Sequence, residues 1–293
     1  MKNNRYFLNL ALILLLLSCT QGEKDYLSRE AGWIPPDGRS SAEKAINQDF
    51  SLLFGKAPTP CEIPFLLQAT RVEFDSLLVN PLDKHIRISN NYDHSALNLG
   101  VYSTDFGYLA SFGSTDEALL YLSHCQVMAD CLKISTAFDK VLMNKLKEKI
   151  ESPDTLARIV KNEIQSITKY LRGDFRSQPA VLVLTGGLVE GLYLSVELLA
   201  NSSSQTGDNR CIPDILQLLA AQRRSVLNTI DMLNKLDASG DVAEISVRLS
   251  EISDLLENLD TNHADLATNG SWLALAANVR ELRSSITAEN TLL

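Results

Sequence analysis

An all-α fold, a multi-helix bundle of roughly eight to nine helices, is what this sequence predicts, and three observations predict it. Apolar residues recur at three- and four-residue spacing from about position 61 onward, and two-residue alternation is nowhere sustained. Aromatics are only 6% of the chain, so the 45% apolar content rests on Leu, Ile, Val and Ala, which suits helix packing. Helix-start and helix-stop residues punctuate the pattern at plausible intervals.

The chain begins with the cations Lys2 and Arg5, followed by an apolar run from Tyr6 to Leu17 and then Ser18-Cys19. A basic start, a short apolar stretch and a small residue before a processing point form an export signal. The stretch is too short to span a bilayer as a helix. Leu16-Leu17-Ser18-Cys19 resembles a lipobox, the cleavage and acylation site of bacterial lipoproteins. The resemblance implies removal of residues 1–18 and palmitate-type acylation of Cys19, which would anchor the chain to the cell envelope.

Residues 19–60 read as a flexible tether. Gly32-Trp33-Ile34-Pro35-Pro36-Asp37-Gly38 and Lys56-Ala57-Pro58-Thr59-Pro60 are rich in breakers. Between them Ala45, Ile46, Phe50, Leu53 and Phe54 form a short amphipathic piece. Gln21-Gly22-Glu23-Lys24-Asp25 resembles the surface-export tag of Bacteroidetes lipoproteins, and a solvated spacer explains it equally well.

Residues 61–293 read as one helical domain. Pro64 opens a segment carrying Phe65, Leu66, Ala69, Val72, Leu77 and Leu78, and a second runs from Tyr92 to Phe112. Ser114 and Glu117 form a capping box for the third. Ser135 or Thr136 starts a helix with Phe138, Val141, Leu142, Leu146 and Ile150. Ser152-Pro153-Asp154 supplies an N-cap, a first-turn proline and an acid at the positive end of the helix dipole. Leu156, Ile159, Val160, Ile164, Ile167 and Leu171 continue that helix toward Gly173.

Pro179 opens the most apolar helix, which runs to Ala200, and Asn201 to Asp208 reads as an exposed loop. A long helix from about Pro213 to Leu236 ends at Gly240. Val242, Ile245, Leu249, Ile252, Leu256 and Leu259 then repeat at heptad spacing, which favours shallow helix–helix packing. The last helix follows Asn269-Gly270-Ser271 and carries Trp272, Leu275, Ala276, Val279, Leu282 and Ile286.

Charge restricts the partners. Removing Lys2 and Arg5 from the 27 cations leaves 25 against 36 anions, a net charge of −11. Nucleic acid is not an expected partner, because phosphate binding needs a concentrated positive surface. Membrane attachment is expected through Cys19 rather than through electrostatic adsorption. Cys61, Cys125, Cys131 and Cys211 have irregular spacing and read mostly as buried free thiols, with a Cys61–Cys211 bridge as the less favoured alternative, since both follow loop-like stretches.

Several segments resemble a family of uncharacterised exported helical lipoproteins of Bacteroidetes. They are Ala96-Leu97-Asn98-Leu99-Gly100-Val101-Tyr102-Ser103-Thr104-Asp105, Leu132-Lys133-Ile134, and Gly186-Gly187-Leu188-Val189-Glu190-Gly191-Leu192-Tyr193. The resemblance covers most of residues 61–290. It implies a helical bundle on a lipid anchor and transfers no activity and no functional residue.

Three features compete as sites. Gly186, Gly187 and Gly191 each weaken a helix by about 1 kcal/mol relative to Ala, so something must approach that backbone closely. A neighbouring helix crossing at Gly187-x-x-x-Gly191 is favoured over a ligand. Glu190 lies among Leu188, Val189, Leu192 and Leu194, and Asp105 lies among Tyr102, Phe106 and Tyr108. A buried acid needs hydrogen-bond partners or a proton. The two acids could form a general acid–base pair or bind metal, but with no Glu-x-x-His pairing of a di-iron bundle present, capping a loop or bonding to Tyr, Asn or Arg inside the bundle is favoured. His124, Cys125 and Cys131 lack metal-ligand spacing, and His85, His94 and His263 sit in polar, turn-like stretches. No nucleophile elbow or phosphate loop occurs, so no catalytic residue, metal or cofactor is expected.

The expected function is therefore a non-catalytic binding or structural lipoprotein in the cell envelope, in the outer membrane and facing either the periplasm or the surface. Its partner would be a protein, peptide or glycan. Two alternatives stand beside it: an enzyme using Asp105 and Glu190, and a helical sensor or assembly module pairing through the stripe at 242–259.

Overall fold

The protein is represented by a computed structural model, which describes residues 59–60, 62–82, 92–132, 177–204, 209–236, 240–260 and 270–288. The leader, Cys19, nearly all of the tether, Cys61, His85, His263 and the helices expected from 135 and 152 lie outside these residues. The described residues contain seven α-helices and no strand. They are α1 (Ile63–Ala69), α2 (Tyr92–Ser111), α3 (Thr115–Cys131), α4 (Ser177–Ser204), α5 (Ile212–Lys235), α6 (Asp241–Glu257) and α7 (Gly270–Thr287).

Helix α4 is the centre of the bundle, packed by α1, α2, α5 and α7. Its stretch Gln178–Ser203, whose most apolar 18-residue window has a mean hydropathy of 1.6, is long and apolar enough to cross a membrane by length and composition. Yet 83% of its most apolar window is buried by the protein itself. Leu182, Leu188, Leu192, Leu194 and Leu199 are all withdrawn from solvent, each contributing roughly 1.5–3 kcal/mol by leaving water. A helix that is apolar on every side is stable in water only when surrounded in this way.

Helix α3 packs on α2, and α6 packs against α5 and α7. The whole heptad stripe of Val242, Ile245, Leu249, Ile252, Leu256 and Leu259 is buried within the chain. The apolar stripe of α7, from Trp272 to Ile286, is buried in the same way. Exposed charges bridge the outer helices. Arg223 of α5 meets Glu257 at 2.9 Å, and Arg248 of α6 meets Glu281 of α7 at 2.9 Å. Such surface pairs contribute well under about 1 kcal/mol each.

The turn between α2 and α3 shows how local sequence sets the chain path. Gly113 adopts φ 81°, a left-handed conformation that costs glycine little. The Gly113 amide donates to Ala110 and the Ser114 amide donates to Leu109, which closes a Schellman motif. Ser114 stands at the N-cap of α3 but its side chain makes no cap bond to the backbone; its hydroxyl donates instead to Glu117 at 3.1 Å, so the expected capping box is not formed.

Two stretches depart from the expected helices. The segment opened by Pro64 stays helical only to Ala69, because Arg71 takes a left-handed φ of 63° and turns the chain away. Residues 72–82 then form a strap across the bundle, helical only in a short 3-10 turn at Ser76–Leu78. Its apolar residues Val72, Leu78 and Val79 are buried, whereas Leu77, expected on the same helical stripe, is exposed. Asn201 to Ser204, expected in a loop, instead finish α4. The Ser202 hydroxyl donates to Leu198 at 2.7 Å and Asn201 donates to Asp75 of the strap at 2.9 Å.

Candidate functional site

The crossing of α2 and α4 brings the notable acids together. Both helices must approach closely, and glycine permits it. A Cβ built on Gly100 would lie 2.0 Å from the Val183 oxygen, and one on Gly186 would lie 1.9 Å from the Leu97 oxygen. The Thr104 hydroxyl lies within reach of Gly100 in its own helix at 3.2 Å and of Gly187 across the crossing at 3.3 Å. Gly187 also faces Pro60, and Gly191 faces Ile63 of α1 rather than α2. The close contact on α4 is thus centred on Gly186 and Gly187.

One turn beyond the crossing, Asp105 and Glu190 face into one buried cluster, and each is 0% exposed. Asp105 Oδ2 accepts from the backbone N–H and the side-chain amide of Asn80, each at 3.0 Å. Glu190 is held by Arg283 of α7 in a two-pronged pair, Nε to Oε2 at 3.0 Å and Nη2 to Oε1 at 3.2 Å. Arg283 also donates to the Leu78 carbonyl at 3.4 Å, and its guanidinium lies 4.2 Å from the centre of the Tyr193 ring. Such a planar, forked cation suits simultaneous carboxylate and aromatic contacts.

Tyrosines close the cluster. Tyr121 donates to the Asn80 carbonyl and Tyr102 donates to the Pro81 carbonyl at 3.1 Å. The Tyr108 hydroxyl accepts from the Asp75 amide at 3.0 Å. Burial pushes all three phenols up, Tyr108 to about 12, so they stay neutral donors.

The electrostatics assign one proton to the acid pair. Burial pushes Asp105 well above the ordinary carboxylate range, and the neighbouring charge of Glu190 adds to the rise. Burial also raises Glu190, but the Arg283 charge and its hydrogen bonds oppose this. Of the two, Asp105 is therefore the acid that holds a proton the more readily, and negative charge settles first on Glu190. Asp105 Oδ1 makes no hydrogen bond as a bare acceptor, whereas a proton there can be donated to Glu190, a bond that lowers the Glu190 value. Arginine, glutamate and a neutral aspartic acid then sum to zero charge around two fully buried carboxyl groups.

The other candidates do not join this centre as ligands. Cys125 is buried and its thiol is pushed up by burial to about 12, far from a reactive thiolate. Cys131 is exposed rather than buried as expected, and Cys125, Cys131 and Cys211 are all free thiols, so Cys211 does not take part in the Cys61–Cys211 bridge that the sequence offered. His124 stacks obliquely on Tyr102 at 4.7 Å between ring centres, with Nε2 buried and unbonded, and burial lowers its affinity for a proton. His94 lies beside Asn98, whose amide donates to the Ile286 carbonyl at 2.8 Å and so ties α2 to the end of α7. Among the described residues, no group of three or more His, Cys, Asp or Glu could hold a metal ion.

Sequence reasoning singled out the two acids but not Asn80, Tyr121, Arg283 or Gly100. Two of these carry a signal in the spacing. Arg283 lies seven residues after Ala276 and four after Val279, on the buried stripe of α7. Gly100 lies midway between Ala96 and Thr104, a run of small residues along one face of α2.

No protein-family model, no curated protein and no solved structure matches the chain.

Proposed function

We propose that this chain is an exported bacterial lipoprotein whose helical body is a non-catalytic binding or structural module, held at the outer membrane by acyl chains on Cys19. The observation that supports a non-catalytic body is the sealing of Asp105 and Glu190. General acid–base chemistry requires the acting group to reach a substrate proton. Both carboxylates are instead fully withdrawn from solvent and engaged by Asn80 and Arg283. Their arrangement fits a framework role, orienting α2, α4 and α7 and the strap against one another.

The anchor half of the reading rests on Lys2, Arg5, the apolar run to Leu17 and the lipobox-like Leu16-Leu17-Ser18-Cys19. More than one acyl chain gives stable attachment, because affinity grows with each buried methylene. The envelope address leaves a protein, peptide or glycan as the partner of the acidic body.

Fractionation of Cys19→Ala against the wild type, expressed in a bacterium that processes lipoproteins, tests this. Wild type should sediment with membranes and require detergent for release. The variant should accumulate as unprocessed precursor or appear in the soluble fraction. A variant that is processed and still as tightly bound as wild type contradicts the reading.

A further inference from the structure

The strap 72–82 covers the charge cluster, and every polar tie that holds it runs to a side chain of the bundle. Asn80 is gripped by Asp105 and Tyr121, Pro81 by Tyr102, Leu78 by Arg283, and Asp75 by Tyr108 and Asn201. We propose that this strap is a proton-locked cover: a single proton held between Asp105 and Glu190 keeps residues 72–82 on the bundle, and its loss releases them and bares Arg283 and both acids.

The geometry requires a proton for closure. The groups facing Asp105 are Glu190 from α4, Arg283 from α7, Tyr121 and Cys125 from α3, and Tyr102 and Tyr108 from α2. Arg283 is the one cation among them, and its two-pronged pairing is already committed to Glu190. A second negative charge on Asp105 would leave the closed site with two fully buried carboxylates and one guanidinium. Repulsion would then act between Asp105 and Glu190, and the two Asn80 N–H groups, which favour a charged Asp105, only partly offset it and the cost of burial. Opening relieves it by hydrating Asp105, whose proton passes to water.

The sign follows from this. Asp105 binds its proton more tightly in the closed state than in the open one, because burial and Glu190 both disfavour its charge. Closure is therefore most favourable at pH values below the ordinary carboxylate range. It weakens as pH rises, by up to about tenfold in the opening constant per pH unit, until Asp105 ionises in place.

Amide hydrogen exchange on the full-length mature protein from pH 5 to pH 8, corrected for intrinsic exchange rates, reads this opening. The Asn80 amide reports the strap, and the Leu249 amide in buried α6 reports global unfolding. The wild-type opening constant at Asn80 should exceed that at Leu249 and rise with pH. Asp105→Asn keeps the shape and donates to Glu190 without a titrating proton, so its Asn80 opening should be flat across the range. A flat wild-type response, or equal slopes in wild type and variant, overturns the proposal, as does Asn80 opening only together with Leu249. If the variant fails to fold, infrared spectra of the wild type decide the matter. A protonated-carboxyl band at pH 7 supports the lock and its absence refutes it.

Discussion

Gly100 of α2 and Gly187 of α4 pack backbone against backbone, so closely that a Cβ on Gly100 would lie 2.6 Å from the Gly187 amide nitrogen. This approach lets Thr104 bond across the crossing and places Asp105 and Glu190, each further along its helix, in the same buried cluster. Gly100→Ala and Gly186→Ala should each destabilise the protein by about 3 kcal/mol or more, since the added methyl meets rigid backbone rather than a side chain that can move. Gly107→Ala is the internal control. Its Cβ would meet only Pro64 at 3.5 Å, an ordinary contact, so the better helix former should leave stability unchanged or raise it by about 0.5–1 kcal/mol. Urea titrations of the three variants check both statements.

Removing Arg283 should be costly and pH-dependent. Arg283→Met leaves Glu190 buried without its cation, which costs about 3–5 kcal/mol when the charge remains. Without Arg283 the folded-state affinity of Glu190 for a proton rises, since Arg283 is what opposes the effect of burial. A raised folded-state value gives stability that is present at low pH and lost as pH rises. The defect should therefore be smaller near pH 5 than near pH 8. Thermal denaturation of both proteins across that range measures it, and a defect independent of pH would show that Glu190 does not titrate in the variant.

A different buried polar group should be dispensable. Gln222 of α5 donates to the Ser195 hydroxyl at 2.9 Å, but its Oε1 is buried with no partner. Ser195 keeps its own bond to Gly191 at 2.7 Å whatever stands at 222. Gln222→Leu should consequently be neutral or stabilising by about 1 kcal/mol, as an orphaned acceptor is replaced by apolar surface. A loss of more than that in urea titration would mean that Oε1 is satisfied in solution.

Thiol labelling of the native protein near pH 8 should separate the cysteines. Exposed Cys131 should react readily, whereas buried Cys125, with its thiol raised to about 12, should be protected until the bundle unfolds. Mass spectrometry of labelled peptides gives the order directly. Equal rates at the two positions would contradict the packing of α3 on α2.

The helical class was legible because period is written in apolar positions: the stripes of α6 and α7 are read off the sequence and found buried residue for residue. The strap was not legible. Val72, Leu77 and Leu78 continue a helical spacing, and nothing in that spacing announces that Arg71 takes a left-handed turn. The acids Asp105 and Glu190 stood out because a charge among apolar neighbours is conspicuous. Their partners did not, for opposite reasons. Arg283 reads as one more cation on an amphipathic helix unless its register with Ala276 and Val279 on the buried stripe is followed, and Asn80 lies in an irregular stretch with no period to set it apart. Glycines in α4 signalled a close approach, but identifying α2 as the approaching helix needed three-dimensional contacts that spacing alone does not give.

The functional account stands or falls with the first residue of the mature protein. Intact-mass and peptide mass spectrometry of the chain purified from bacterial membranes reads it directly. The account predicts a polypeptide that begins at Cys19 and carries diacylglyceryl mass on its sulfur. A retained leader, or a mature first residue without acyl mass, would contradict it.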